Sequence, residues 1–238
     1  MKNELEEIKN NIVGNCKKCN STGWIADKQC ECLLKLEFYI NMKNCGIDSE
    51  YWNVSFKEWK GDKVVKDSTL LYINNIDNAY NSGLGIVFYG KNGVGKTMCA
   101  MEILKEAIIK KYKVRNIVMG ELIKTIQNSF ENHDLKDYYE NEIKNSEFLC
   151  LDNLGPECKP SNFNYFVVNE FDLLARYRRR KLLPTIITSN LEKDKFLEIY
   201  GSSINSLLIA SCKFISVEGK DFREEQGKNW NKLLTGDK

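Results

Sequence analysis

Five short apolar runs punctuate residues 84–217: Ile86–Tyr89, Val114–Met119, Glu147–Asp152, Thr185–Asn190 and Cys212–Val217. Unbroken runs of this length, without alternation, read as strands buried on both faces. Between them apolar residues recur at helical spacing. Over 96–112, Met98, Met101, Ile103, Leu104 and Ile108 point inward. Further helices are expected over 121–130 and 162–180, a polar one over 134–145, and two short ones over 193–199 and 202–210. Strand and helix in alternation predict an α/β fold, a parallel sheet covered by helices on both faces, with its reactive site at the carboxyl ends of the strands. Upstream, 33–44 and 66–82 also read as helices, the second with Leu70, Leu71, Ile73 and Ile76 on or near one face.

The run at Ile86 leads into Gly90-x-x-x-x-Gly95-Lys96-Thr97, and a helix follows at once. That strand–loop–helix setting is what a P-loop requires. Backbone N–H groups from Gly90, Asn92, Gly93, Val94, Gly95, Lys96, Thr97 and Met98 turn inward around phosphate oxygens, and the new helix points its positive end at the same place. Lys96 reaches the β- and γ-phosphates, and the Thr97 hydroxyl holds Mg²⁺. Some 55 residues after Thr97, the third run closes on Asp152. A carboxylate there lies beside the P-loop and holds the water shell of the ion. The fourth run ends on Asn190, placed to orient an attacking water against the γ-phosphate.

Composition narrows the class. A chain of 238 residues with 42% hydrophobic and 29% charged residues and three prolines is that of an ordinary globular protein with room for one α/β domain and a small appendage. No apolar stretch approaches the ~20 residues of a membrane span, and the start lacks a signal-peptide core, so a cytoplasmic protein without membrane contact is expected. A net charge of +2 gives no global attraction to nucleic acid. Local candidates are Lys110, Lys111, Lys113 and Arg115, and the run Arg178 to Lys181; such runs are more often solvated faces. His133 reads as a surface residue.

Five of nine cysteines fall within 16–45. Cys16-x-x-Cys19 and Cys30-x-Cys32, separated by a turn-rich segment, are how a small domain gathers four sulfurs around structural Zn²⁺. Cys45 is an alternative ligand; unligated cysteines and a redox dithiol are the competing readings. The boundary is set near residue 50, giving a zinc-binding, partner-binding domain over 1–50 and an ATPase domain over 51–238. Trp52 and Trp59 are expected to pack the connecting segment against the ATPase, and Trp230 to anchor the tail.

With Gly90–Thr97, the Leu151-Asp-Asn-Leu-Gly155 segment, the Pro184–Asn190 strand, the cysteine front and Asp221-Phe-Arg223 in hand, the chain resembles the DnaC/DnaI helicase loaders, AAA+ ATPases related to the IstB transposition helpers. The resemblance runs from about residue 16 to 223. It implies a five-stranded parallel sheet with the P-loop strand central, little or no C-terminal lid, and ATP, Mg²⁺ and Zn²⁺ as cofactors. Lys96 and Thr97 match Walker A, Asp152 Walker B and Asn190 sensor 1, making Lys96, Asp152 and Asn190 the catalytic set. It further implies delivery of a hexameric replicative DNA helicase onto single-stranded DNA, with self-association. Alternatives are an IstB-like transposition helper and a zinc-dependent adaptor that binds ATP without turnover.

Three departures from that family bear on mechanism. Asn153 stands where relatives carry an acid, with Glu157 and Glu170 as possible substitutes. Residues 201–208 hold no arginine where a finger is expected, leaving the Arg176–Arg180 cluster as a candidate to serve a neighbouring subunit, with a solvated helix end as the competing reading. The short segment after the last strand makes Arg223 an uncommitted sensor. Together they predict slow hydrolysis by the protein alone.

Overall fold

The computed structural model describes residues 2–155 and 163–223. The chain divides into two compact units, Met1–Asn53 and Val54–Lys238. Glu157 and Trp230 lie outside the described residues.

The first unit opens with α1 (Lys2–Lys9), which widens into a π-helical turn over Asn10–Gly14. Two-residue strands β1 (Trp24–Ile25) and β2 (Lys28–Gln29) pair antiparallel and lead into α2 (Glu31–Asn44). The core is small: Val13, Cys19, Cys30, Cys32 and Leu36, ringed by Ile8, Ile12, Cys16 and Ile40. With cysteines supplying four of these nine side chains, apolar burial alone is a weak basis for a fold of this size. Trp52 packs within this unit: its indole N–H donates to Ile47 O at 2.8 Å and its ring meets Tyr39 edge-on.

The second unit begins with α3 (Lys63–Asn74) and α4 (Ile76–Ser82). There follow β3 (Gly85–Tyr89), α5 (Lys96–Ile109), β4 (Val114–Val118), α6 (Met119–Ser129), α7 (His133–Tyr138), β5 (Phe148–Leu154), α8 (Phe163–Arg180), β6 (Thr185–Ser189), α9 (Lys193–Ser211) and β7 (Cys212–Ser216). The five strands β3 to β7 form a parallel sheet in the order β4-β5-β6-β3-β7. Val87, Leu149, Leu151 and Ile187 pack one face against Leu122 and Ile126 of α6, Phe171 and Leu174 of α8, and Ile204 and Leu208 of α9. Helix α5 covers the other face, burying Cys99, Ala100, Ile103, Leu104 and Ala107. Among the described residues no helix is long and apolar enough to cross a membrane.

Several details differ from the sequence reading. The helix expected over 66–82 is two helices, broken at Asn75 (φ −117°, ψ 27°), whose exposed side-chain amide donates to Leu71 O. Its buried face is Val65, Thr69, Tyr72, Ile76 and Ala79, while Leu71 is 59% exposed. The P-loop strand β3 is next to the edge and β6 is central, because only β7 pairs beyond β3. The polar helix over 134–145 becomes α7 followed by a π-helical Tyr139–Lys144. Helix α9 is interrupted at Gly201 (φ 77°, ψ 164°), between the two short helices expected. Strand β5 continues past Asp152 through a bulge: Leu151 pairs Ile187, and the next pairing is Leu154 with Ser189.

Candidate functional site

Strand β3 ends at Tyr89, and the chain turns through Gly90–Gly95 into the amino terminus of α5. The glycines are structural necessities. Gly93 (φ 71°) and Gly95 (φ 100°) sit in the left-handed region, and a Cβ on Gly95 would fall 2.6 Å from the Trp59 ring. Helix α5 thus presents Lys96 and Thr97 in its first turn, where orphan N–H groups and the helix dipole favour an anion. Lys96 is only 6% exposed. Its Nζ donates to Gly90 O at 2.8 Å and Lys91 O at 2.5 Å, folding back on the loop. Burial, partly offset by Asp152, brings its ammonium down to about 8.

The carboxyl ends of β5 and β6 bring the acid and the amide to the same place. Thr97 Oγ1 donates to Asp152 Oδ1 at 3.0 Å. Thr188 Oγ1 donates to the same oxygen at 2.5 Å, while accepting from Asn153 N–H at 2.9 Å. Asn153, at φ 59° within the β5 bulge, takes a left-handed backbone that Asn tolerates better than most residues. That turn aims its side chain at Asn190, whose Nδ2 donates to Asn153 Oδ1 at 2.5 Å. Thr97, Asp152, Thr188, Asn153 and Asn190 therefore form one connected polar chain beside the P-loop. A Mg²⁺ fits this donor set: a helix-terminal hydroxyl and a carboxylate 3.0 Å apart offer the hard oxygen ligands the ion takes beside phosphates.

Sequence reading missed Thr188, and it named Trp59 and Asp221 without placing either at the P-loop. Thr188 is 1% exposed; a buried hydroxyl following Ile186 and Ile187 near the end of the strand was its signal. Trp59, T-shaped against buried Phe56, lies on the Gly95 backbone. The segment carrying it is held by Lys105 Nζ on Val54 O and Lys66 Nζ on Phe56 O. Asp221 reaches Gly93 from the far end of the unit: a Cβ on Gly93 would fall 1.7 Å from its Oδ1. Contacts made across the fold leave no local sequence pattern.

Of the substitutes named for the missing acid, Glu157 lies outside the described residues, and Glu170 makes its contacts elsewhere. Glu170 accepts from its neighbour Asn169 and lies within electrostatic range of Tyr139, whose phenol burial pushes up with help from that carboxylate. Arg178 is 1% exposed, with Nε on Thr185 Oγ1 and its amino groups on the carbonyls of Lys144, Ser146 and Pro184. Helix α8 runs antiparallel to the strands, so its last turn meets their amino ends, away from the P-loop. Arg176 is held by Asp172 and Ser203. The other basic run is also matched: Lys110 pairs with Asp77, and Lys113 and Arg115 share Glu142. His133 is exposed.

In the first unit, the Sγ atoms of Cys16, Cys19, Cys30 and Cys32 all lie within 4.8 Å of one another, with Cys19–Cys32 at 3.6 Å and Cys16–Cys30 at 3.8 Å. Tetrahedral Zn–S bonds of ~2.3 Å require S···S separations of about 3.8 Å, so the quartet fits zinc. Burial opposes ionisation of Cys19, but the Gly23 N–H at 3.2 Å and the neighbouring thiols outweigh it and bring this thiol down to about 7. Cys45 stands outside the quartet, buried with its thiol on Met42 O.

Comparison with known proteins places this geometry. Residues 86–190 match the model of the ATPase family associated with various cellular activities (AAA). The replicative helicase loader DnaI of Bacillus subtilis is 26% identical over 157 residues, 65% of this chain and 49% of that protein. A putative ATP-binding protein of insertion sequence IS5376 from Geobacillus stearothermophilus is 30% identical over 136 residues, 57% of this chain and 50% of that protein. The chain therefore spans about half the length of the curated relatives it matches. Among solved structures, a DnaC helicase loader superposes with a TM-score of 0.61 at 25% identity, covering 72% of this chain and all of that one.

Proposed function

Starting from an AAA ATPase domain with homologues among the DnaI and DnaC helicase loaders, we propose that the chain is itself an ATP-dependent loader that binds a hexameric replicative helicase and delivers it to single-stranded DNA in the cytoplasm. The observation that carries this reading is the superposition of 72% of this chain on a whole DnaC helicase loader chain. In this reading Gly90–Met98 cradle the phosphates, Lys96 leaves the carbonyls of Gly90 and Lys91 for the β- and γ-phosphates, and Thr97 with Asp152 holds Mg²⁺. The ion supplies charge neutralisation for the transferred phosphoryl group. Asn190 and Asn153 hold the attacking water between two amides. The cysteine quartet holds Zn²⁺, giving the 1–50 domain the rigidity to grip the helicase.

An amide donates and accepts hydrogen bonds but takes no proton at neutral pH. With Asn153 in that position and no arginine in 201–208, the site favours ATP binding over rapid turnover. The isolated protein is expected to hydrolyse ATP slower than about one per second. Asn153→Asp keeps the left-handed turn and the bond from Asn190 while adding a base, and is expected to raise kcat at least tenfold. No gain in that variant would mean the amide pair is not what limits turnover.

The test of the loader reading is to mix the protein with the replicative helicase of its host, with and without ATP and single-stranded DNA. Complex formation is read by light scattering, and loading by unwinding of a forked substrate. Failure to associate in every condition sinks it. The insertion-sequence relative favours a second reading, a transposition helper that assembles on duplex DNA. ATP-dependent binding to duplex DNA, with stimulation of a transposase and none of helicase loading, would select that one.

A further inference from the structure

Beyond β7 the chain does not leave the sheet. Val217 N–H donates to Tyr89 O at 2.8 Å, and Phe222 N–H donates to Gly93 O at 3.0 Å, so residues 217–222 fold back along the P-loop. The turn that follows is closed by Arg223 N–H on Asp221 Oδ1 at 2.9 Å. This fixes the Asp221 carboxylate against the Gly93 backbone, tightly enough that a Cβ there would fall 1.7 Å from Oδ1. The carboxylate is also near enough to act electrostatically on Lys96, alongside Asp152 and Arg223. Asp152 has an assigned partner in Thr97, and Arg223 carries the sign a polyphosphate attracts. Asp221 has the sign a polyphosphate repels.

We propose that Asp221 is a specificity-determining residue of the nucleotide site, setting how tightly and how long a nucleotide is held according to its phosphate charge. The inference rests on the reading that Gly90–Met98 cradle a nucleoside polyphosphate. The carboxylate lies on the same loop whose N–H groups attract the phosphates, so an arriving nucleotide brings negative charge towards a fixed negative charge. At a separation of several ångströms and an effective dielectric between protein and water, such repulsion is worth a factor on the order of ten in affinity. It scales with ligand charge and acts on departure, since the bound phosphates remain beside it. Lys96 has carbonyl partners within the loop itself, which compete with phosphate for its ammonium, so both devices favour exchange over retention. A protein that works as a reusable switch gains from a site that empties.

The decisive variant is Asp221→Asn, which removes the charge but keeps an oxygen to accept from Arg223 N–H, so the turn is preserved. Binding of MgATP, MgADP and AMP to the full chain is measured by calorimetry, and dissociation by stopped flow with fluorescent nucleotides. The expected result is about tenfold tighter MgATP binding, a smaller gain for MgADP and least for AMP, carried by slower dissociation. Unchanged or weaker MgATP binding would overturn the proposal, as would an equal gain for all three ligands, which would mark a steric effect. Lys96→Ala, run alongside, is expected to lose polyphosphate binding whatever Asp221 does. Retention of MgATP in that variant would remove the phosphate-cradle reading itself, whereas its loss together with an indifferent Asp221→Asn would sink the present inference alone.

Discussion

A hydroxyl that accepts from Asn153 N–H and donates to Asp152 Oδ1 cannot become a methyl group without leaving two buried polar groups short of a partner. Thr188→Val keeps the volume and removes both bonds, each worth roughly 1–3 kcal/mol when its partner is stranded. The expected outcome is at least a tenfold fall in Mg²⁺-dependent ATP hydrolysis, with Mg²⁺-free nucleotide binding little altered; Thr188→Ser restores the rate. Parallel loss in both variants would show that packing, not the hydroxyl, is what matters. Lys96 gives the pH dependence at this scale. Burial lowers its ammonium to about 8, and bound phosphate stabilises the charged form. Binding is therefore strongest below pH 8 and weakens as pH rises through and beyond that value, with proton uptake on binding. Titration calorimetry in buffers of different ionisation enthalpy checks both signs.

At the scale of elements, Arg178 stitches the end of α8 to the residues that precede β5 and β6. Its guanidinium is lowered to about 9 by burial, and its bonds are to carbonyls and a hydroxyl. Arg178→Ala strands those acceptors and opens a cavity, an expected loss of about 3–5 kcal/mol. That corresponds to a fall of roughly 6–20 °C in Tm for a protein of this size, read by calorimetry, with the ATP affinity of the remaining folded protein retained. An arginine finger would show the opposite pattern, full stability with lost turnover. This contrast also marks what a sequence reveals. Strands such as Ile86–Tyr89 and the turn after them were legible because burial and glycine geometry act locally. Asp152 and Asn190 were legible because they end apolar runs. Thr188 and the Asn153–Asn190 bond were not, because they depend on which strands lie side by side and on a bulge that rotates one residue. The burial of Arg178 escaped for the same reason: its guanidinium reaches the carbonyls of Lys144 and Ser146, which only the folded chain brings near.

At the scale of the molecule, the two compact units rest on different physics. The second has a two-sided sheet with a broad apolar core; the first has a handful of aliphatic side chains around four sulfurs. Zinc removal is expected to unfold the first and spare the second. Metal analysis should give about one zinc per chain. Chelation under reducing conditions, or Cys19→Ser with Cys32→Ser, should abolish the near-ultraviolet signal of Trp24 and Trp52 while MgATP binding persists. If helicase association survives that treatment, the partner is gripped elsewhere.

Trp59 lies on the backbone of Gly95, and an indole's emission responds to the polarity and charge around it. Phosphate entering the loop changes that surrounding field at contact distance. The protein thus carries its own optical gauge of occupancy: a Trp59→Phe difference spectrum would isolate it from the other tryptophans, and its emission could be followed in real time as nucleotide enters and leaves, without attaching any dye.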